Sequence, residues 1–417
     1  MTETVGSEQA STEQAGAEFV YDPFAPGYAE NPYPTYAHMR AAGPVNLHPL
    51  GFYTLSHYAD VSDLLRSKNS VEDRNMGPSV FRDLVESTYG DQPERALGLS
   101  MLDRDPPDHT RLRKLVTKVF TVRAISALEP RVIELVDRAL DGLEQAGGGD
   151  LIEALAYPLP FTVICELLGM PETDHAALRE LAGILVGSLE PVVDPARLAE
   201  IDRAGKEIAE RIGAAIADKR RQPAEDLLTA LINAEEAGDK LTDEELVAQV
   251  TLLYVAGHET TVNLIANGTL ALLRNPDQAQ LLRDRADIDV NAVDELLRYD
   301  SPVQMSRRIM LAPYEVAGHE IPTGSFVQAG LAAANRDEDF WGPDAGELHL
   351  DRANAKAHLS FGGGPHHCLG AALARLEGRV AITRLIRRFP TLELDGEVAW
   401  NGRLNLRGPS ALNVRIG

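Results

Sequence analysis

The sequence predicts a mainly α-helical chain with minor β-structure, folded as one large domain around a very long central helix. Three observations carry that expectation. Apolar residues recur at three- and four-residue spacing through residues 110–120, 124–146, 160–168 and 196–220, the period of one helix face. Residues 242–273 hold a helical pattern without a break. No Pro-, Gly- or Ser-rich linker divides the chain, although 417 residues would on length alone allow about three domains.

In chain order, residues 1–18 are rich in Glu, Gln, Ser, Thr and Gly and lack an apolar core. They are expected to form a disordered tail rather than a secretory signal, which leaves 19–417 as the folded domain. Residues 19–49 are rich in Pro and aromatics, with one short helix at 33–40, and 45–47 and 52–55, parted by Pro49 and Gly51, predict a hairpin. The helices named above follow. Thr242 and Glu245 stand at capping-box spacing at the start of the central helix, and Asn275-Pro276 ends it. At 1.5 Å per residue it would run about 48 Å. A short helix at 290–299, strand signals at 314–321 (with a Gly318 turn) and 325–329, a helix at 369–388 and a strand-like end at 404–416 complete the pattern. No repeat of 20–50 residues is visible.

Composition narrows the function. Hydrophobic residues make up 44% and charged residues 25%, a globular balance. With 63 acidic and 40 basic residues the net charge is −23. Non-specific nucleic-acid binding draws on Lys and Arg, so it is not expected. The only cysteines, Cys165 and Cys368, exclude a disulfide scaffold or a zinc site of paired cysteines and fit a reducing, cytoplasmic compartment. No window approaches the roughly 20 apolar residues of a membrane span.

Residues 358–373 read His-Leu-Ser-Phe-Gly-Gly-Gly-Pro-His-His-Cys-Leu-Gly-Ala-Ala-Leu. Three glycines and a proline make a loop of little bulk, which lets backbone approach something closely. Cys368 stands just before a predicted helix, where the dipole and free N–H groups favour a thiolate. Such a thiolate suits axial ligation of haem iron. A free cysteine in a glycine-rich turn, or a metal site of His366, His367 and Cys368, are the alternatives. The pattern Phe361, Gly364, His366, Cys368, Gly370 resembles the haem-binding loop of the cytochrome P-450 monooxygenases.

Three further segments extend the resemblance. In the central helix, Ala256, Gly257, Glu259 and Thr260 match the family's oxygen-activating motif. The match implies that Thr260 hydrogen-bonds the bound oxygen and that Glu259 relays protons from solvent. On the residues alone, Glu259, Asn263 and Asn267 at i, i+4 and i+8 could equally be a solvated stripe, while mid-helix threonines can bend a helix by bonding back one turn. Glu295 and Arg298 are spaced to pair and resemble the Glu-x-x-Arg motif. Arg352 stands where the family has its third partner, so the implied role is holding the core around the haem. His109 and Arg113, in the segment from Asp105 to Arg113, together with Arg308 and His366, match the propionate-binding positions, with Arg307 an adjacent competitor of Arg308.

The resemblance therefore implies a haem-dependent monooxygenase: haem b with Cys368 as axial thiolate, inserting one oxygen atom into a bulky hydrophobic small molecule such as a macrolide or polyketide, terpenoid or steroid. Electrons would come from a ferredoxin and its reductase. Arg111, Arg113, Lys114, Lys118 and Arg123, a run without acidic residues, could dock an acidic donor, with Arg375 and Arg379 joining it. The substrate segments would supply Met76, Val80, Phe81, Leu97, Leu99, Met101, Ile184, Leu185, Val186, Val303, Met305 and the strands near Leu406. A peroxide-driven peroxygenase, a non-catalytic haem sensor and a helical binding protein without haem are the rival readings.

Overall fold

The computed structural model describes residues 19–89, 98–190, 194–235 and 238–417; the predicted tail and Leu97 lie outside them. The helices that frame the site are α1 (Tyr33–Ala42), α2 (Tyr58–Arg66), α3 (Asp108–Val119), α4 (Glu129–Ala146), α5 (Pro158–Leu168), α6 (Glu172–Leu185), α7 (Pro195–Arg221), α8 (Asp243–Arg274), α9 (Asp289–Tyr299) and α10 (Ala371–Arg388). The fold is mainly helical with small sheets, as expected.

The central helix α8 forms where its sequence signals place it. Thr242 accepts from the Glu245 N–H while the Glu245 carboxylate accepts from the Thr242 N–H, so two orphan donors are satisfied at once. Most of α8 is buried, because it packs on α5, α7, α9 and α10. Glycines make the closest of these contacts. A Cβ on Gly268 would stand 2.8 Å from Ile382 Cδ1, and one on Gly378 would stand 2.8 Å from Leu264 Cδ2.

The predicted hairpin is present as β1 (Asn46–Leu47) and β2 (Tyr53–Leu55). Its sheet has the order β1, β2, Phe326–Gly330, Met305–Ile309, with β2 parallel to the third strand and the remaining pairs antiparallel. The strands flanking Gly318 also pair.

Three boundaries differ from expectation. The predicted helix 124–146 is two helices, Val122–Ser126 and α4, because Pro130 lacks an N–H and belongs in a first turn. The helix after Cys368 begins at Ala371 with Gly370 as its cap, so two residues separate the cysteine from it. The strand-like end splits into Pro409–Ala411 and Asn413–Ile416, which belong to different sheets.

Candidate active site

The loop before α10 is closed by a hydrogen bond from the Cys368 N–H to the Phe361 carbonyl, 2.9 Å. Gly364 lies at φ +64°, and a Cβ there would stand 2.5 Å from the Leu65 carbonyl oxygen. What the glycine loop approaches closely is thus the end of α2. Phe361 is half-buried under Arg375, whose guanidinium lies 4.6 Å from the ring centre and donates to Asp294 at 2.7 Å. Cys368 carries exposed surface, yet burial is the largest influence on its thiol. The two agree if that surface gives onto an enclosed space. Burial pushes the thiol pKa up, against the pull of the Gly370 and Ala371 N–H groups and of Arg113 and Arg375. The helix end alone therefore does not secure a thiolate, whereas a coordinated metal ion would.

Beside the loop sits a cluster of basic side chains. The His109 and His366 rings lie 4.1 Å apart, and neither ring nitrogen of His109 has a hydrogen-bond partner. Burial, then His109 and Arg308, press His366 down to about 3. Arg308 is 2% exposed and donates only to oxygens that carry no charge: the Arg307 carbonyl at 2.6 Å, Ser306 Oγ at 3.4 Å and the Leu65 carbonyl at 3.1 Å. Burial lowers its pKa to about 10. Arg113 donates to the His367 carbonyl at 2.5 Å. Among the described residues none of these four side chains has a carboxylate in an ion pair. Arg307, by contrast, pairs with Asp103 at 2.8 Å and Asp73 at 3.4 Å, so Arg308 is the arginine left for an anion.

On α8, Ala256, Gly257 and Thr260 keep accessible surface where nearly every neighbour is buried. A Cβ on Gly257 would meet nothing within 4 Å. The helix stays continuous, so the threonines do not break it. Thr260 Oγ1 donates to the Ala256 carbonyl at 2.9 Å and Thr261 Oγ1 to that of Gly257 at 3.2 Å. The solvated-stripe alternative fails: Glu259, Asn263 and Asn267 are 8%, 1% and 1% exposed. Glu259 forms an ion pair with Arg403. Burial pushes the Glu259 pKa up and Arg403 pulls it down.

Glu295 and Arg298 are fully buried and doubly bonded at 2.7 Å. Arg298 also donates to the carbonyls of Asn335, Ala345 and Glu347, and Arg352 reaches Glu295 at 3.2 Å. The trio stitches α9 to the segment before the cysteine loop.

Some expectations need correction. Arg375 and Arg379 are engaged within the molecule, by Asp294 and Glu129, and Arg111 by Glu245 and Asp239. They do not form an open basic patch. The His-His-Cys metal alternative is not assembled, since His366 turns to His109 and His367 lies near Phe361, 6.3 Å between ring centres. Of the apolar residues expected to line a pocket, Met76, Met101, Leu185, Val186 and Met305 belong to core clusters and Val80 is 59% exposed. Arg403, Glu190 and Glu377 escaped sequence reading, because charged residues in a turn, a helix connection or a long helix carry no local signature.

The residues present fit an iron porphyrin. Cys368 carries an accessible thiol, the buried Arg308 has no carboxylate in an ion pair among the described residues, and both ring nitrogens of His109 are orphaned, so anionic groups would complete the cluster. The family model described as Cytochrome P450 matches residues 195–401. The chain is 42% identical to the monooxygenase PikC of Streptomyces venezuelae, over 93% of this chain and 92% of that one. It is 40% identical to the vitamin D(3) 25-hydroxylase of Pseudonocardia autotrophica, over 95% and 96%. The solved structure of PksS from Bacillus subtilis superposes with a TM-score of 0.86 at 33% identity, covering 95% of this chain and 100% of that one. The chain therefore belongs to the cytochrome P-450 family and is a haem-thiolate monooxygenase. Its cofactor is haem b with a cysteine as axial ligand, the cysteine of this loop being Cys368. Among the described residues, no helix is long and apolar enough to cross a membrane.

Proposed function

We propose that this monooxygenase hydroxylates or epoxidises a bulky hydrophobic small molecule of the polyketide, terpenoid or steroid kind. The relatives named for polyketide biosynthesis and for vitamin D(3) hydroxylation support that class. The observation that carries the assignment of the site is the buried Arg308 guanidinium without a carboxylate in an ion pair, beside the orphaned ring nitrogens of His109 and an accessible thiol. In a chain of net charge −23 such a group is expensive unless an anion completes it.

Cys368 would ligate the iron, with His109, Arg113, Arg308 and His366 holding the propionates and Phe361 and Gly364 shaping the loop. Once bound, the haem supplies reductive activation of dioxygen, using two electrons to give one inserted oxygen atom and water. The remaining work falls to side chains. The N–H groups of Gly370 and Ala371 hold the sulfur and temper its electron donation. Thr260, facing the open side of α8, presents its hydroxyl to the oxygen. Glu259 takes protons from the Arg403 side and passes them inward. Apolar residues such as Ile184, Leu99 and Val303 exclude water and receive the substrate.

Electrons would arrive from a ferredoxin reduced by its reductase. The groove lined by Arg113, Lys114, Thr117, Lys118, Gly364 and Pro365 is its docking surface, charge-complementary to an acidic donor.

The test is the reduced carbon-monoxide difference spectrum of the protein and of Cys368→Ser. A strongly red-shifted Soret band lost in the variant is expected. A band at the position of histidine-ligated haem in both would refute the assignment. Turnover with peroxide alone, and none with reduced ferredoxin, would select a peroxygenase instead.

A further inference from the structure

We propose that Glu190, in the connection between α6 and α7, is a positioning residue for proton delivery that acts through Arg403 on Glu259. The inference rests on the reading of Glu259 as the proton relay and adds what holds that relay in place.

Arg403 belongs to the turn that links strands Ala399–Trp400 and Pro409–Ala411. Among the described residues, the next three backbone N–H groups, of Leu404, Asn405 and Leu406, have a side chain as their partner. Glu190 takes three in a row: Oε2 accepts from Leu404 and Asn405 and Oε1 from Leu406, each at 2.9 Å. Asn405 Nδ2 donates to the Leu189 carbonyl at 2.8 Å, so the connection and the turn are bound both ways. A carboxylate that accepts several backbone donors is a strong, directional anchor.

The other side of the turn is fixed to α8. Asn263 and Asn267, one and two turns beyond Glu259, donate to the carbonyls of Leu406 at 3.5 Å and Arg407 at 3.1 Å. A Cβ on Gly408 would stand 2.1 Å from Asn263 Oδ1, so only glycine allows this approach. Held between connection and helix, the turn has little choice about where Arg403 points, and it points at Glu259.

The groups around Glu259 leave Arg403 as its one paired cation among the described residues. From its own helix comes His258, which burial keeps neutral at about 3. From the segment before α5 comes Tyr157, whose ring is capped by Arg179 at 4.1 Å. The Arg179 guanidinium pairs with Glu153 at 2.9 Å. Burial favours the protonated form of Glu259 and Arg403 the ionised one. Paired, Glu259 is held toward the anion, the form that can accept a proton from solvent and hand it on. With Arg403 withdrawn, the carboxyl keeps its proton and stops accepting. The turn also touches the substrate side, since the Gln304 N–H donates to the Asn405 carbonyl at 2.9 Å and Leu406 bridges Val303. Release of Glu190 from the turn would therefore weaken the relay.

The experiment uses the haem-loaded full chain and reads the infrared carbonyl band of protonated carboxyl groups against pH, with Glu259→Gln, alone and added to each variant, isolating the Glu259 contribution from those of Glu190 and Glu377, whose pKa values burial also raises. In Glu190→Gln and in Arg403→Gln the Glu259 band is expected to appear at a higher pH than in the wild type. Arg403→Lys and Glu190→Asp are expected to restore it in part. Coupling of electron use to product falls several-fold in both glutamine variants, and the double variant is no worse than Arg403→Gln. A wild-type band in Glu190→Gln beside a shifted band in Arg403→Gln would overturn the role of Glu190. A wild-type band in both would overturn the whole chain of contacts. Shifted bands with unchanged coupling would leave the positioning intact and sink the relay role of Glu259 instead.

Discussion

Replacing Glu377 with glutamine is expected to stabilise the protein at alkaline pH and to change it little near pH 5. Glu377 lies on α10, is 1% exposed, and has one oxygen without a partner. Its single aid is a hydrogen bond with Thr261, so burial raises its pKa from 4.5 to about 8. In the unfolded chain the same carboxyl loses its proton near its ordinary value. Between those limits the folded state binds one more proton than the unfolded state, and stability falls as pH rises. Each pH unit in that window costs about 1.4 kcal/mol. The penalty is thus about 3 kcal/mol at pH 7 and on the order of 5 kcal/mol by pH 8, against a total stability of roughly 5–15 kcal/mol. Glutamine has nearly the same shape and no charge to lose. Urea unfolding of wild type and Glu377→Gln across pH 5–8, followed by far-ultraviolet circular dichroism, should give curves that diverge steadily with pH. A difference that does not depend on pH would refute the reasoning, as would a variant less stable than wild type at pH 8.

Three other perturbations test the site. Gly364→Ala puts a Cβ 2.5 Å from the Leu65 carbonyl at φ +64°; beyond the roughly 1–2 kcal/mol cost of the left-handed region the loop must move, and a lowered haem-to-protein ratio on purification should show it. Arg298→Leu leaves the buried Glu295 carboxylate short of its main partner and strands three carbonyls; removing one member of a buried pair costs about 3–5 kcal/mol, measurable by denaturant titration, and Arg298→Lys should not rescue it because an ammonium lacks the planar fork. Arg308→Ala should speed haem loss to a scavenger protein while leaving the carbon-monoxide Soret position unchanged, since Arg308 acts on the propionate side and not on the sulfur.

The helices were legible because each carries its own period and its own punctuation. Thr242 and Glu245 open α8 and Asn275-Pro276 closes it, and these are local signals. The boundary missed inside 124–146 was also local: Pro130 was overridden by an apolar period that continues on both sides of it. The site was legible only where several residue types sit within one short segment, as around Cys368 and Thr260. Glu190 and Arg403 stand 213 positions apart, and nothing in either neighbourhood announces the other. The substrate lining is a different case. Met76, Met305 and Leu185 are apolar in any core, and only tertiary packing decides which apolar residues face a cavity.

The neighbours Arg307 and Arg308 show how little separates a structural cation from one held for a ligand. Both belong to the strand Met305–Ile309, where successive side chains leave on opposite faces. One face carries Arg307 to Asp103 and Asp73, and its charge is neutralised within the fold. The other carries Arg308 inward, to 2% exposure, among His109, His366 and Arg113, where it donates only to uncharged oxygens and Asp105 acts on it without forming an ion pair. A chain with 63 acidic residues has carboxylates to spare, so the gap beside Arg308 is not for want of anions. Burying a guanidinium without one costs several kcal/mol, and that cost is recovered when an external dianion such as a dipropionate enters. The same burial that makes the group unfavourable alone makes its hold on the ligand stronger, because Coulomb attraction grows as water is excluded. Register, not composition, thus selects which of two adjacent arginines serves the cofactor.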